Sequence, residues 1–275
     1  MSSSRWIKKL VVNTAYLAKG WRVGTVRGRI LTYHRVDEVK GDRLVVTPDA
    51  FRAQMNFLRR QGIRVVDLAT LIDSLKYPNK SADQVAVSFD DGYLDNYQFA
   101  WPILRTYRYP ATVFVPPALI GREEPLPTQR RGASLARLMS WGQLEDLVKD
   151  GVTVGSHSLT HARLTRMPLQ QARVEVLESK RLLENKLRLA VDWFSYPSGA
   201  YSAEVVHLVQ RAGYHGALSV RPGANTPKTH RFVLRRTEVS GEDTLSDFEK
   251  KLAGAFDGWH QAVQTFQRWQ RKVRR

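Results

Sequence analysis

Seven short apolar runs recur between residues 29 and 220, and most of the intervals between them carry helical periodicity. The candidate strands are Arg29 to Tyr33, Arg64 to Val66, Val85 to Phe89, Ala111 to Val115, Val152 to Gly155, Trp193 to Tyr196 and Gly216 to Val220. Helical spacing predicts helices over Thr47 to Gln61, Asp95 to Tyr107, Ser140 to Lys149, Leu169 to Leu187 and Ala203 to Ala212, with Gly62, Gly151 and Gly213 as stop signals. Alternation at this pitch predicts an α/β fold built on a parallel sheet, open or closed into a barrel. The segment Gly121 to Gly132, rich in Pro, Arg and Glu, is expected as a disordered insertion.

In such a fold the chemistry gathers at the C-terminal ends of the strands. Three strands here run straight into polar turns. The first is followed by Asp90-Asp91-Gly92-Tyr93, two adjacent carboxylates that a glycine turn can aim in different directions. An Asp-Gly turn with a helix-capping Asp is the plainer reading of that motif alone. The second is followed by His157-Ser-Leu-Thr-His161. Two histidines four apart are expected to project from one side of a helical turn, where both can reach one metal ion. Ser158 stands where a His-Glu-x-x-His protease carries its glutamate, which disfavours that class. The third ends in Tyr196-Pro197-Ser198-Gly199, with Tyr201 beyond. Two histidines and one carboxylate with open positions form a recurring hydrolytic metal site, and Asp91 is the obvious third ligand.

Composition narrows the chemistry further. The chain has no cysteine, so thiol nucleophiles, Cys-ligated zinc and iron–sulfur clusters are excluded, and any metal must be held by His, Asp or Glu. Its apolar runs are too short to span a membrane, which needs about 20 residues. The net charge is +17, yet residues 1–30 carry seven bases and residues 259–275 carry five, both without an acid. Removing those twelve leaves +5 for residues 31–258, which argues against a basic nucleic-acid groove through the body of the protein.

Residues 5–22 read as a basic amphipathic helix, with Trp6, Ile7, Leu10, Val11, Leu17, Ala18 and Trp21 on one stripe. Asn13, Thr14, Tyr16 and Lys19 interrupt any signal-peptide core, so the segment is expected to stay attached, either lying on an anionic membrane or packing on the domain. A second stripe runs from Leu245 through Phe248, Leu252, Phe256, Trp259, Val263 and Phe266 to Trp269. The expected organisation is a terminal helix in 1–28, a catalytic domain over 29–240 and a basic amphipathic helix in 241–275. The expected location is cytoplasmic, or peripheral on the cytoplasmic face of the membrane, with no transmembrane helix.

The order of these motifs resembles the polysaccharide deacetylases, carbohydrate esterase family 4, also described as the nodulation-protein-B homology domain. The resemblance covers roughly Ile30 to Val239. It implies a distorted (β/α) barrel and a metal-dependent hydrolase that removes N-acetyl groups from an N-acetylated glycan, polymeric or lipid-linked. By the same resemblance Asp90 is the catalytic base, and Asp91, His157 and His161 hold a divalent ion, most readily Zn2+. From their place at the strand-end turns, Tyr93, Tyr196, Pro197, Ser198 and Gly199 are expected around the substrate, with Trp141 and Tyr201 as further stacking candidates. The block from Leu31-Thr-Tyr-His34 through Thr47-Pro48, with Ala111 to Val115 and Met139-Ser-Trp141, is similar to the branch acting on poly-N-acetylglucosamine.

Two departures matter. Ser195 stands where many members carry the arginine that orients the base, and Arg235 or Arg236 is expected to replace it, Arg236 being the assignment taken. The family's late Leu-x-His, source of the general acid, ends here in Val220, which leaves His34 and His215; His34 is preferred because it ends the first strand. These departures keep two other readings open, a catalytically silent glycan-binding member and, less favoured, a nucleic-acid binder.

Overall fold

The computed structural model describes residues 26–39, 41–77, 83–122 and 136–257. The helix expected over 5–22, most of the Gly121 to Gly132 insertion and the end of the C-terminal stripe lie outside the described residues.

The main sheet contains eight parallel strands in the order β10-β1-β5-β6-β7-β8-β9, with β4 paired to the start of β5. Its strands are β1 (Arg29–Tyr33), β4 (Arg64–Val65), β5 (Gln84–Phe89), β6 (Ala111–Val115), β7 (Thr153–Ser156), β8 (Trp193–Ser195), β9 (Gly216–Leu218) and β10 (Thr237–Glu238). Every residue of β1, β5 and β6 is buried, as expected for strands covered on both faces. Past β9, Leu218 bridges Leu234, from which the chain runs on into β10, so the sheet curls toward closure as a distorted barrel. A second ribbon that the apolar pattern did not reveal pairs β2 (Arg35–Val36) with β3 (Val45–Val46), each only two residues long.

The helices follow their local signals. Helix α1 (Pro48–Arg60) starts at Thr47, whose hydroxyl accepts from Ala50 N, has proline in its first turn and ends on Arg59 and Arg60. It buries Phe51, Gln54, Met55 and Leu58, and Gln54 accepts the Tyr33 hydroxyl at 2.9 Å. Helix α2 (Leu68–Ser74), capped by Asp67, was not foreseen. The helix expected over Asp95 to Tyr107 is two pieces, a π-turn at Asn96–Ala100 and α3 (Trp101–Tyr107). Helices α4 (Trp141–Lys149), α5 (Leu169–Leu187) and α6 (Ala203–Arg211) match the predicted segments.

The C-terminal stripe is not one helix. Helix α7 (Leu245–Leu252) stops before Gly254, which turns the chain at φ +83°, and Phe248, Leu252 and Phe256 are buried. Phe248 packs edge-on against Phe57 of α1. Wholly buried Arg29, at the start of β1, binds Leu252 O at 2.8 Å and Asp257 at 2.7 Å. The apolar face of α7 is thus packed against the same core as α1 and β1. Among the described residues no helix is long and apolar enough to cross a membrane.

Candidate metal centre and active site

Because every strand of the main sheet is parallel, the residues that follow β1, β5, β7, β8 and β9 meet on one rim. Strand β5 delivers Asp90 and Asp91 there. Asp91 and Gly92 both take left-handed backbone, φ +76° and +72°, which turns the two carboxylates apart. Only glycine fits at 92, since a Cβ would sit 2.7 Å from Val115 Cγ1.

The two histidines converge by a different route from the one expected. Residues 157–161 are not a helical turn; Ser158 and His161 take φ +60° and +59°, folding the loop so that both imidazoles face Asp91. Ser158 Oγ accepts Ala162 N at 3.1 Å. From α5, Glu175 takes Thr160 N at 2.9 Å and Thr160 Oγ1 at 2.7 Å, holding the loop between the histidines.

Asp91 Oδ1 lies 3.0 Å from His161 Nε2 and 3.4 Å from His157 Nε2, and all three side chains are buried. Neither approach has hydrogen-bond geometry at the carboxylate oxygen, so a buried acceptor is left aimed at two ring nitrogens. One ligand atom from each residue lies within 4.8 Å of the others. His157 Nδ1 sits 2.7 Å from Ser195 O, a contact that puts the proton on Nδ1 and leaves the Nε2 lone pair facing Asp91. The partnerless Asp91 Oδ1, the fixed His157 tautomer and the spacing all fit a divalent cation. The Asp91 carboxyl is held well below the usual range: burial acts to raise it, and His157 and His161 beside it, together with His34, outweigh that.

Asp90 is bound differently. Its Oδ1 accepts Arg236 Nη1 at 2.8 Å and lies 3.4 Å from the Ser195 hydroxyl, while Oδ2 is 3.9 Å from His157 Nε2. Arg236 is itself buried and locked by Nε donating to Ser219 O at 2.8 Å. Burial acts to raise the Asp90 carboxyl, but the Arg236 guanidinium and then His157 overcome it and keep the group ionised below its ordinary value. Arg235 instead binds Pro222 O, so the choice between the two arginines falls on Arg236.

His34 follows β1 on the same rim and adds to the field on both carboxylates. Its Nδ1 is buried without a hydrogen-bond partner among the described residues. His215 precedes β9, is 63% exposed and pairs with Asp192, so it stands at the other end of the barrel.

Around the substrate the expectations divide. Ser198 is exposed and adopts φ +55°; Pro197 and Gly199 are buried. Gly199 is required by Val220, whose Cγ2 lies 2.2 Å from where a Cβ would be. Tyr196 is a core residue rather than a sugar-stacking face, since it is wholly buried and its hydroxyl donates to Phe232 O at 3.0 Å. Tyr93 is also buried, against Leu119, Ala136 and Leu138. Its phenol is pushed well above its ordinary value by burial and then by the Asp91 charge. Trp141 and Tyr201 are partly exposed.

Sequence reasoning did not anticipate the Ser195 hydroxyl beside Asp90 or Glu175 behind the histidine loop. An alternating or apolar pattern carries no signal for such partners, which are single polar side chains on neighbouring elements.

A rim that gathers a carboxylate held by a buried arginine beside an Asp-His-His cluster able to hold a cation suits a metal-assisted hydrolase of the barrel type. The sequence pattern of the family described as Polysaccharide deacetylase matches residues 77–217, and the chain belongs to that family. YxkH of Bacillus subtilis (strain 168), provisionally named a polysaccharide deacetylase, is 29% identical over 214 residues, 77% of this chain and 71% of its own. The poly-beta-1,6-N-acetyl-D-glucosamine N-deacetylase of Staphylococcus aureus (strain COL) is 22% identical over 232 residues, 80% of this chain and 74% of its own. Among solved structures, the Streptococcus pyogenes deacetylase PplD in complex with acetate superposes with TM-score 0.71 at 21% identity, covering 83% of this chain and 99% of that one. IcaB from Ammonifex degensii gives TM-score 0.70 at 24% identity, covering 84% and 97%. These likenesses match the curled parallel barrel. The chain is a hydrolase of the polysaccharide deacetylase class.

Proposed function

We propose that the protein removes N-acetyl groups from a glycan built of N-acetylated hexosamine, with poly-β-1,6-N-acetylglucosamine as the substrate class its curated relatives suggest. The observation that carries this reading is the division of the two adjacent aspartates. Asp91 faces two imidazoles, and Asp90 faces a buried arginine.

Asp91, His157 and His161 would hold a divalent ion, zinc being favoured by two nitrogen donors, and when bound it supplies Lewis-acid chemistry and acidifies water. Asp90 takes the proton of the attacking water. Arg236 keeps Asp90 ionised and aimed, and Ser195 Oγ steadies the same oxygen. The amides of Gly199 and Ala200 are committed to Tyr196 O and Pro197 O, which leaves the Ser198 N–H at the rim to stabilise the oxyanion. His34 donates the proton that the departing amine needs. Pro197, Ser198 and Gly199 shape the wall on which the sugar lies, and Tyr93 backs Asp91 from the core rather than touching substrate.

The Ser195 departure had kept a catalytically silent reading open. Arg236 on Asp90 supplies a guanidinium from the segment leading into β10, which favours activity. Peripheral attachment to an anionic membrane, including the cytoplasmic leaflet, is supported by the acid-free basic ends in the sequence. Val26 and Asp257, from which those ends continue, lie where β1 begins, away from the rim. A bound surface would therefore leave the catalytic side open to a glycan.

The test is acetate release from β-1,6-linked N-acetylglucosamine oligomers. Release should stop on chelation, return with zinc and vanish in Asp90→Asn. Full activity in Asp90→Asn would remove this mechanism.

A further inference from the structure

Behind the rim lies a buried polar cluster for which the reaction scheme has no use. Arg35 Nε binds Asp95 Oδ2 at 2.8 Å, with both side chains almost wholly buried. Asp95 Oδ1 accepts Val36 N at 3.2 Å and Asn96 Nδ2 at 3.0 Å. The other hydrogen of Asn96 Nδ2 goes to the carbonyl of His34 at 2.9 Å. Residues 34, 35 and 36 are thus each gripped by side chains from a segment that begins four residues after Asp91. Asn96 opens the π-turn, a local irregularity often found at functional sites, and the wider turn occurs where its carboxamide meets the His34 peptide.

The His34 ring makes this grip consequential. Its Nδ1 is buried without a partner among the described residues, so no hydrogen bond at that nitrogen orients the imidazole. The hold of Asn96 on the His34 carbonyl therefore bears directly on where the ring is carried. We propose that Asp95 and Asn96 are positioning residues for His34, acting through its peptide to keep the imidazole within reach of the leaving nitrogen. The proposal rests on the reading of His34 as general acid. In that step the carbonyl carbon–nitrogen bond breaks, the nitrogen takes the electron pair and a proton from His34, and acetate departs with the oxygen of water.

A leaving group that needs no proton separates this role from a general structural one. An N-acetylglucosamine oligomer expels an amine and depends on the acid. In 4-nitrophenyl acetate the leaving phenolate is stable unprotonated, and only Asp90 and the cation site are needed. For zinc-loaded Asn96→Ala we expect kcat on the oligomer to fall by about 10 to 100-fold, part of the 10² to 10⁴ that acid–base catalysis contributes. KM on the oligomer, hydrolysis of 4-nitrophenyl acetate and zinc affinity should stay within about twofold. Should the alanine variant not fold, Asn96→Ser, which keeps a small polar group in place, takes the same assay. His34→Ala serves as the reference, with a larger loss confined to the oligomer. If Asn96→Ala loses both substrates equally, or neither, the positioning role is overturned while His34 stands. If His34→Ala itself fails to discriminate the substrates, the acid assignment falls and the positioning role with it.

Discussion

Arg236→Met is the perturbation whose size the structure defines best. The native guanidinium lies 2.8 Å from Asp90 Oδ1, with the two side chains 2% and 4% exposed, so water screens the pair little. An adjacent arginine commonly lowers an aspartate by about 1 to 3 pH units, and each unit corresponds to about 1.4 kcal/mol. Methionine of similar length removes the charge and leaves Asp90 with Ser195 Oγ at 3.4 Å and His157 at 3.9 Å. The Asp90 carboxyl should rise, so the acid limb of kcat/KM moves to higher pH by about 1 to 3 units. Stability gives an independent check. With its folded value depressed, Asp90 contributes stability above the unfolded carboxylate range that is lost as pH falls through the folded value. In the variant this contribution shrinks or reverses, and the protein should lose about 3 to 5 kcal/mol at neutral pH, the usual cost of orphaning a buried charge. The loss at acid pH, where the carboxyl is neutral, should be smaller. Activity profiles and denaturant melts at pH 4 and 7, with metal saturating in the kinetics, measure both. An acid limb that stays in place, or moves down, would refute the assignment of Arg236 as the group that keeps the base ionised.

Glu175→Gln should lower zinc affinity by about 10-fold, as loss of a supporting partner behind metal ligands typically does, read by competition with a zinc indicator. Gly92→Ala places a methyl 2.7 Å from Val115 Cγ1 at φ +72°, which should cost upward of about 1 to 2 kcal/mol in a denaturant melt and reduce activity by displacing Asp91. Asp257→Asn strips the charge partner from wholly buried Arg29 at the far end of β1; the melting temperature should drop while kcat on the oligomer holds within about twofold.

How far the sequence could be read depended on the range of the interaction that fixes each feature. The apolar runs of β1, β5 and β6 are local and announce fully buried strands, so the parallel sheet and the rim at its strand ends were legible, while closure into a barrel was only what the family resemblance implied. Residue types at strand ends were legible for the same reason, which is how Asp90, Asp91, His157 and His161 became candidates, and the structure brings them together. Pairing across the chain was not. Arg236 meets Asp90 across 146 positions, and the sequence could narrow the choice only to two neighbouring arginines. The stripe from Leu245 to Trp269 obeys helical spacing throughout, yet Gly254 breaks the helix and Arg29 holds Asp257 just after it. Tyr196 looked like a sugar-stacking ring because exposure is a tertiary property, and the carbonyl of Phe232 claims its hydroxyl inside the core.

The histidine pair exposes a subtler limit. Spacing of four suggested a helical turn, and the rings do converge, but through left-handed Ser158 and His161 rather than a helix. The same conformation recurs at Asp91 and Gly92 and at Ser198 and Gly199. Three of the rim loops thus hold residues where an L side chain is disfavoured by about 1 to 2 kcal/mol each. Such backbone persists only where surrounding contacts over-determine it, and here those contacts are identifiable: Val115 against Gly92, Glu175 on Thr160, Val220 against Gly199. The residues most important for shaping the site are therefore not the ones that touch the reacting atoms. A substitution in that supporting layer should loosen the cation site and the substrate wall before it unfolds the barrel, because the strands beneath are buried on both faces and do not depend on the loops they carry.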